Sequence, residues 1–538
     1  MSIKDIEFRT SIISGLRWSA IKRVGQALLS VVVTIIMARL LTPSDFGLVA
    51  MATVFTGISN VFTELGTGEA LIRKKNASNN FISSVFWLNT GLAIFVCIIL
   101  FSIAPSVSKI FDEQIVEILI YVLSIEVFLS GLNRVSHALL EKNKLAMTKL
   151  IATETGKTHL DASSEVAATL AKLNNSILAY NKRTGSQLNS MGAMQVRLKH
   201  ESHGVLAVIG PFNFPLHLPN GHITPALIAG NTIVFKPSES SPMVAEYMMM
   251  LWAEAGLPKG VINMIHGGKD IVQALCKNPL SKGLLFTGSY KAGKQLSRIM
   301  AEYPEKILAL ELGGNNPLVV WSTRKINTAV DLIFESAFIS SGQRCTCARR
   351  LILPNSKSGK MILTNLKKKV QSLSYANESD LYYGPLISPS ATKGFLDYQA
   401  KLIKLGAKPI LKARKVKNSF NLVTPSLINT TGMRKTYDEE NFGPMLQVQF
   451  VDSFDEAIAV ANNTKYGLAA GLISDNKDLF DEFVDRINAG VINFNSTTTG
   501  ASGAFPFGGI GRSGNLRPAG FYAADYCAWP KASIIKQL

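Results

Sequence analysis

The distribution of apolar residues constrains the fold of this chain most, because it changes abruptly near residue 138. Four apolar stretches precede that point and run roughly over 24–41, 46–65, 82–104 and 115–133. Each approaches the roughly 20 residues that an α-helix needs to cross the hydrocarbon core of a membrane. Residues 1–138 therefore predict an all-α, membrane-like segment of about four helices. A buried helical bundle in a soluble protein is the alternative.

Positively charged residues flank these stretches unevenly. They lie before the first stretch, after the second and after the fourth: Lys4, Arg9, Arg17, Lys22, Arg23, Arg73, Lys74, Lys75, Arg134, Lys142, Lys144 and Lys149. Lysine and arginine are enriched in cytoplasmic loops. We therefore expect a cytoplasmic N-terminus and, after an even number of crossings, a cytoplasmic remainder of the chain. Glu64 and Glu126 weaken the second and fourth stretches as spans.

The charge of the chain favours an anionic ligand. The formal net charge is +18, and most of it lies beyond residue 150. The basic residues are scattered, with only short clusters such as Lys367-Lys368-Lys369, and this pattern is typical of solvated faces. We expect a small anionic substrate and no nucleic-acid partner.

The cysteines indicate a reducing compartment. The chain has five, an odd number, and their spacing suggests no disulfide framework. Cys345 and Cys347 are two residues apart, but the second Cys or His pair that zinc requires is missing nearby. We expect no metal site.

The second part of the chain has the pattern of an α/β protein with parallel sheets. The apolar runs 204–210 and 231–236 predict buried strands, and 242–255 has the length of a helix. The segment Gly288–Lys294 follows the apolar strand 283–287 and nearly matches a phosphate-binding loop, but Gln295 replaces the required Ser or Thr. Such a turn either presents backbone N–H groups to a phosphate or is a plain turn.

Cys345 and Glu311 are the candidate reactive residues. Small residues precede Cys345, and Arg344, Arg349 and Arg350 could favour its thiolate, which is the reactive form. A buried, inert cysteine is the alternative. Glu311 lies between apolar residues, where burial would raise its pKa and suit it to proton transfer. A structural salt bridge is the alternative there.

The N-terminal segment resembles the first four helices of polysaccharide and lipopolysaccharide flippases. The residues that carry this resemblance are Ala38–Gly47, Glu64-Leu65-Gly66 and Ala70-Leu71-Ile72. Such transporters have twelve or more helices, so a complete transport path is not expected here.

Residues 140–538 resemble the aldehyde dehydrogenase superfamily through seven ordered motifs. These motifs are Gly210–Pro215, Lys236–Glu239, Phe286–Ser289, Glu311–Gly314, Gly342–Cys345, Glu440–Pro444 and Pro506–Gly509. Within the superfamily, the sequence is most similar to the N-succinylglutamate 5-semialdehyde dehydrogenases of arginine catabolism. The strings that carry this closer resemblance are His217–His222, Gly313–Pro317, Gln343–Arg350 and Tyr522–Pro530.

The resemblance implies a reaction and three catalytic residues. The reaction is the NAD-dependent oxidation of an aldehyde to a carboxylate, namely of N-succinyl-L-glutamate 5-semialdehyde to N-succinyl-L-glutamate. Cys345 would be the nucleophile and Glu311 the general base. Asn213, with the backbone N–H of Cys345, would stabilise the oxyanion.

The resemblance also implies cofactor contacts. Lys236 and Glu239 would bind the adenosine ribose, and Glu440 and Phe442 the nicotinamide and its ribose. The loop near the diphosphate would comprise Gly288, Ser289, Tyr290, Lys291, Ala292 and Gly293. Because Glu239 would repel a 2′-phosphate, NAD is favoured over NADP.

The domains expected from the two resemblances join near 138–143. A membrane segment, 1–138, precedes an N-terminally truncated NAD-binding domain, 139–310, and a catalytic domain, 311–495. The segment 496–538 would complete the NAD domain and the oligomerisation arm. The superfamily is homo-oligomeric, but the arm is incomplete here.

Two functions remain open. One is a membrane-associated dehydrogenase with its enzyme part in the cytoplasm. The other is a membrane transport component with a non-catalytic dehydrogenase-like domain. The enzyme is favoured because its site motifs are all present, whereas most of a transporter is absent.

Overall fold

A computed structural model of the chain describes residues 47–55, 66–74, 77–191, 194–375, 377, 381–417, 419–433 and 437–536. The chain divides into two compact units, Met1–Ala146 and Met147–Leu538.

The first unit is helical in its described part. Residues 47–55 are helical, and three further helices follow: α1 (Thr67–Arg73), α2 (Asn79–Phe111) and α3 (Gln114–Thr155), of which α3 ends in the second unit. The predicted stretches 82–104 and 115–133 are confirmed as helices. The stretch 24–41 lies outside the described residues, as do 46 and 56–65 of the second stretch, so a count of four helices is not confirmed.

Two segments in this unit are long and apolar enough to cross a membrane: Asn80–Phe111, with 32 residues, and Gln114–Asn133, with 20. They pack together through small side chains and Val, Leu and Ile residues of both helices. Large apolar side chains such as Trp87 and Ile118 are nevertheless 66% and 60% exposed. A helix from the core of a soluble protein buries most of its apolar side chains, so this exposure favours a membrane segment.

The second unit is an α/β structure. Its early elements are α4 (His159–Arg183), β1 (Ser186–Met191), β2 (Met194–Ser202), β3 (Val205–Ile209), α5 (His217–Ile228), β4 (Thr232–Lys236), α6 (Pro242–Glu254), β5 (Ile262–Met264), α7 (Lys269–Lys277), β6 (Ser281–Gly288), α8 (Tyr290–Met300) and β7 (Ile307–Leu312). Its middle elements are β8 (Asn316–Val320), α9 (Ile326–Phe338), a 3₁₀ turn (Ile339–Gly342), β9 (Ala348–Pro354), α10 (Lys357–Gln371), α11 (Pro389–Lys404), β10 (Lys408–Leu411) and β11 (Ser426–Asn429). Its last elements are β12 (Met445–Val451), α12 (Phe454–Asn462), β13 (Tyr466–Gly467), β14 (Ala469–Ile473), α13 (Asp478–Arg486), β15 (Val491–Phe494), β16 (Pro506–Phe507), β17 (Ile510–Gly511), β18 (Ala519–Gly520), α14 (Ala523–Cys527) and β19 (Ala528–Lys536).

The first large sheet has five parallel strands in the order β5-β4-β3-β6-β7. Helices α5 and α6 cover one face, and α7 and α8 cover the other. Both faces of the sheet are thus buried, which explains why its strands are continuous apolar runs in the sequence. The predicted strands and helix at 204–210, 231–236 and 242–255 are confirmed.

The second large sheet has seven strands in the order β10-β11-β12-β9-β8-β14-β15. All neighbours are parallel except the edge pair β10 and β11. Helices α9 and α10 pack on one face and α12 and α13 on the other. A separate antiparallel sheet joins β1, β2 and β19.

The strand order of the five-stranded sheet brings the predicted motifs to one edge. In register, Ile209 of β3 lies beside Lys236 of β4 and Phe286 of β6, and Thr287 of β6 lies beside Glu311 of β7. The loops that follow these strands leave the sheet at its carboxyl edge, where open α/β sheets bind ligands.

Candidate active site

A cavity of about 560 Å³ lies at this carboxyl edge, within the size range of small-molecule sites. Ten of the thirteen predicted site residues line it: Asn213, Lys236, Glu239, Gly288, Ser289, Ala292, Glu311, Cys345, Glu440 and Phe442. Residues from both large sheets thus meet in one cleft of the second unit.

The loop before Cys345 has an uncommon backbone. Ser340, Ser341 and Gly342 have φ values of 52°, 57° and 68°, so three consecutive residues are left-handed. A Cβ on Gly342 would collide with the carbonyl of Gly443, so this position requires glycine. Such strain persists only where neighbouring contacts impose it.

Those contacts come largely from α4. The Oγ of Ser340 donates a hydrogen bond to Asp161, and Arg344 binds both residues, with its Nη2 2.6 Å from Asp161 Oδ1 and its Nε 2.8 Å from Ser340 Oγ. On the C-terminal side of the turn, the carbonyls of Cys345 and Cys347 accept hydrogen bonds from Asn316 Nδ2, at 2.7 and 2.9 Å. The reactive loop is therefore fixed on both sides of the sulfur.

The electrostatics around Cys345 favour the thiol. Burial raises the pKa of Cys345, the carboxylates of Glu311 and Glu440 raise it further, and Arg349 only partly opposes them. Arg344 is paired with Asp161, and Arg350 donates to three backbone carbonyls, those of Asn315, Val460 and Ala461. The expectation that Arg344 and Arg350 favour the thiolate is thus not supported, because Arg344 is bound to side chains and Arg350 to backbone carbonyls.

Glu311 has the environment that the sequence predicts for a general base. It is 5% exposed, and burial raises its pKa well above the ordinary value, while the backbone N–H of Ala519 and the charge of Lys172 act in the opposite direction. Its Oε1 has no hydrogen-bond partner within the described residues. This oxygen is buried without a partner, and the carboxylate forms no ion pair in that part of the chain.

Asn213 is held by a hydrogen bond from its Nδ2 to the carbonyl of Gln343, at 3.0 Å. One of its two amide hydrogens is used in this way. The helix that follows, α5, is capped by Glu165, whose Oε1 accepts from the N–H groups of Leu216 and His217, at 2.9 and 3.1 Å. Lys157 completes this support with an ion pair to Glu165 at 2.7 Å.

Lys236 and Glu239 form one unit at the end of β4. Lys236 is buried, and its Nζ donates to Glu239 Oε1 at 2.9 Å and to the carbonyl of Gly267 at 2.8 Å. The Glu239 side chain is 59% exposed and lines the cavity. Its carboxylate is thus held where a ligand hydroxyl can reach it.

The turn at the start of α8 contributes only part of the predicted loop. Gly288, Ser289 and Ala292 line the cavity, and Ser289 caps the helix by accepting from the N–H of Ala292 at 3.3 Å. Gly293 instead packs against β7, because a Cβ there would lie 2.6 Å from Leu312 Cδ2. Tyr290 and Lys291 likewise do not line the cavity.

Glu440 and Phe442 approach from the other sheet. Glu440 accepts from the N–H of Gly314 at 3.1 Å, and burial raises its pKa to about 7 against the opposing effect of Arg349. A Cβ on Gly313 would collide with this carboxylate, so glycine leaves the space for it. Phe442 lines the cavity and contacts Phe212 edge-on, with centroids 5.9 Å apart.

Sequence reasoning missed the contribution of α4. Asp161, Glu165 and Lys172 all lie on this helix and act on the Cys345 loop, the Asn213 loop and Glu311. No motif surrounds them. The available signal was the presence of two acidic residues four positions apart in an otherwise weakly charged helix.

Comparisons with known proteins agree with this geometry. The chain matches the aldehyde dehydrogenase family over residues 132–532 and the family described as polysaccharide biosynthesis protein over residues 36–192. It is 49% identical over 400 residues to N-succinylglutamate 5-semialdehyde dehydrogenase of Escherichia coli K12, a match that covers 74% of this chain and 81% of the relative.

Two solved structures share the fold. A glyceraldehyde-3-phosphate dehydrogenase from Methanocaldococcus jannaschii, complexed with NADP, is 25% identical with a TM-score of 0.67 and covers 74% of this chain and 87% of its own. An NAD-dependent aldehyde dehydrogenase from Sinorhizobium meliloti is 27% identical with a TM-score of 0.69 and covers 74% and 80%. A nicotinamide cofactor is thus common to these relatives. The chain belongs to the aldehyde dehydrogenase family.

Proposed function

We propose that this protein oxidises N-succinyl-L-glutamate 5-semialdehyde to N-succinyl-L-glutamate with NAD. The observation that carries the proposal is the meeting of Cys345, Asn213 and Glu311 in one cavity that also contains Lys236 and Glu239. The similarity to the E. coli relative supports this substrate. The net charge of +18 suits its carboxylates.

The residues of the cavity fit a dinucleotide. Glu239 offers a fixed carboxylate to ribose hydroxyls, the start of α8 offers N–H groups to a diphosphate, and Glu440 lies near Cys345. When bound, the nicotinamide supplies the hydride acceptor of the reaction.

The chain's own residues carry out the two remaining steps. In the first, the Cys345 thiol loses its proton to solvent, the thiolate attacks the aldehyde carbon and a C–S bond forms. Asn213 with the Cys345 N–H stabilises the resulting oxyanion. In the second, which starts from the thioester, Glu311 takes a proton from water while the water oxygen bonds to the acyl carbon. The C–S bond then breaks and Cys345 leaves as a thiolate.

The substrate assignment is tested with the purified full chain and NAD. NADH formation is followed with succinylglutamate semialdehyde and, as a matched control, with an uncharged aldehyde of similar length. We expect kcat/KM to be at least about 100-fold higher for the charged substrate, because a site that binds a polar group of its substrate rejects an analogue that lacks this group. Equal values for the two aldehydes would contradict the proposed substrate, and absence of oxidation of either would contradict the enzyme function.

The preference for NAD rests on Glu239. A 2′-phosphate would lie against its carboxylate, so removal of that charge in Glu239→Gln should raise activity with NADP relative to NAD. If the ratio of the activity with NADP to the activity with NAD is the same in the variant and the wild type, Glu239 does not set the preference.

We further propose that the apolar helices of the first unit tether the enzyme to a membrane, with the dehydrogenase in the cytoplasm. The polysaccharide biosynthesis match and the two apolar helices support the membrane association. The alternative of a transport component with an inactive domain predicts no aldehyde oxidation, so the substrate assay separates the two.

A further inference from the structure

Lys172 is a partly buried cation that the proposed reaction does not use. It lies on α4, which packs against α5 beside the Asn213 loop. Two other cations of this region are matched by carboxylates: Lys157 by Glu165, and Arg344 by Asp161, with N–O distances of 2.7 and 2.6 Å. Among the described residues, Lys172 has no ion pair within 4.0 Å.

A missing side chain on α5 leaves room for this ammonium group. Gly221 lies opposite Lys172, and a Cβ on that glycine would be 3.3 Å from Lys172 Nζ and 3.8 Å from Cε. No other neighbour within 4 Å is found for that Cβ position in the described part of the chain. The glycine thus clears space for the end of the lysine.

The end of Lys172 lies towards Glu311. His222, the residue after Gly221, contacts Thr287 Oγ1 through its Nε2 at 3.2 Å, and Thr287 lies beside Glu311 in the sheet. Each group acts electrostatically on the other: Lys172 opposes the rise in the pKa of Glu311, and Glu311 opposes the fall in the pKa of Lys172, which burial lowers to about 8. The Oε1 of Glu311 has no hydrogen-bond partner in the described chain, and the backbone N–H of Ala519 and the charge of Lys172 are the two influences that favour the ionised carboxyl.

The other titratable groups that face this pair are neutral near pH 7. Burial lowers the pKa of His217 and His222 to about 3, and the charge of Lys172 adds to this effect. Burial raises the pKa of Cys345 and of Tyr526, which both face Glu311. Among these neighbours, Lys172 is therefore the cation that can favour the ionised form of Glu311.

We propose that Lys172 is a positioning residue for Glu311, whose ammonium holds the Glu311 carboxylate in its ionised form so that it can accept a proton from the hydrolytic water. This inference rests on the proposed function. Lys172 contacts neither the sulfur nor the acyl group; it acts through Glu311 alone.

The test is Lys172→Met in the full chain, with Lys172→Arg and Lys182→Met for comparison. Lys182 is on the same helix but exposed, so its substitution controls for loss of a lysine. Removing the cation should raise the pKa of Glu311 and so move the acid limb of the kcat–pH profile to higher pH, by about one pH unit. Lys172→Arg keeps the cation and should leave the limb near its wild-type position, and Lys182→Met should not move it. The pre-steady-state burst of NADH should remain in all variants.

A milder variant guards against misfolding. In Gly221→Ala, the new methyl group meets mainly the flexible end of Lys172, so the protein should fold and show a smaller shift of the same sign. An unmoved acid limb in both Lys172→Met and Gly221→Ala would overturn the proposal. Loss of the burst in folded Lys172→Met would also overturn it, because Lys172 would then act on acylation.

An infrared titration separates this proposal from the proposed function. The protonated carboxyl band of Glu311, isolated by subtracting the spectrum of Glu311→Gln, is followed against pH without substrate. The band should persist to higher pH in Lys172→Met than in the wild type, whether or not the wild type oxidises the aldehyde. Identical titrations would refute the role of Lys172 alone, whereas inactivity of the wild type would refute only the proposed reaction.

Discussion

Two cysteines lie two residues apart, and the structure separates their roles. Cys345 lines the cavity, whereas Cys347 is fully buried with its Sγ 3.8 Å from the carbonyl of Ile339. Cys345→Ala should lower kcat by about 1,000-fold or more, because the nucleophile is lost. Cys347→Ala should cost only about 1 kcal/mol of stability and less than about tenfold in kcat. NADH formation by the two purified variants checks this, and wild-type activity in Cys345→Ala would refute the assignment of the nucleophile.

Glu440 gives the site a pH dependence that can be measured. Its pKa is about 7 because the carboxyl is buried. A carboxyl is ionised above its pKa, so in its proposed role Glu440 would accept hydrogen bonds from ribose hydroxyls best above pH 7 and would lose this ability as the pH falls through about 7. The KM for NAD should therefore rise below pH 7 in the wild type and stay nearly constant in Glu440→Gln. A wild-type KM for NAD that does not change between pH 6 and 8 would contradict this role.

At the scale of elements, α4 supports the reactive loop through a buried ion pair. The side chains of Arg344 and Asp161 are 14% and 7% exposed, whereas those of Lys393 and Asp397 on α11 are 77% and 62% exposed. Breaking a buried pair leaves an uncompensated charge and costs about 3–5 kcal/mol. Breaking an exposed pair costs about 0.5 kcal/mol or less.

Asp161→Ala should therefore lower the thermal midpoint by several degrees and also reduce kcat, since the strained turn before Cys345 loses its anchor. Asp397→Ala is the matched control and should change neither quantity measurably. Calorimetry and NADH formation on both variants provide the test. Equal midpoints for the two would show that the buried pair does not stabilise the loop.

The elements also show what the sequence could predict. Buried parallel strands are continuous apolar runs, so the sequence predicts β3, β4 and β6. Short motifs point to Cys345 and Glu311, and the structure places both in the lining of the cavity. The anchor at Asp161 was not visible, because it is 183 residues from Arg344. The space that Gly221 leaves for Lys172 could not be predicted either, because it forms only when α4 packs against α5. Tertiary contacts decide such positions, and no local pattern records them.

At the scale of the whole molecule, the hairpin formed by α2 and α3 sets the expected membrane topology. The two helices are separated only by Asp112 and Glu113, and Asp112 turns the chain with a φ of 52°. If both helices cross the membrane, the hairpin begins and ends on the same side. This holds whether or not the stretches 24–41 and 46–65 also cross. Arg73 and Lys74 precede the hairpin and Lys142, Lys144 and Lys149 follow its apolar part, whereas its tip is acidic.

The dehydrogenase should therefore lie on the side of these basic residues, which is the cytoplasm. A reporter active only in the cytoplasm, fused after the last residue of the full chain, should give signal, and one active only outside should give none. Replacing Arg73, Lys74 and Lys75 together by Gln is the matched variant, and it should lower the cytoplasmic signal because these charges hold the hairpin in place. Signal from the outside reporter alone would refute the topology. It would also place Cys345 and its cofactor in different compartments, so the tethered enzyme could not work as proposed.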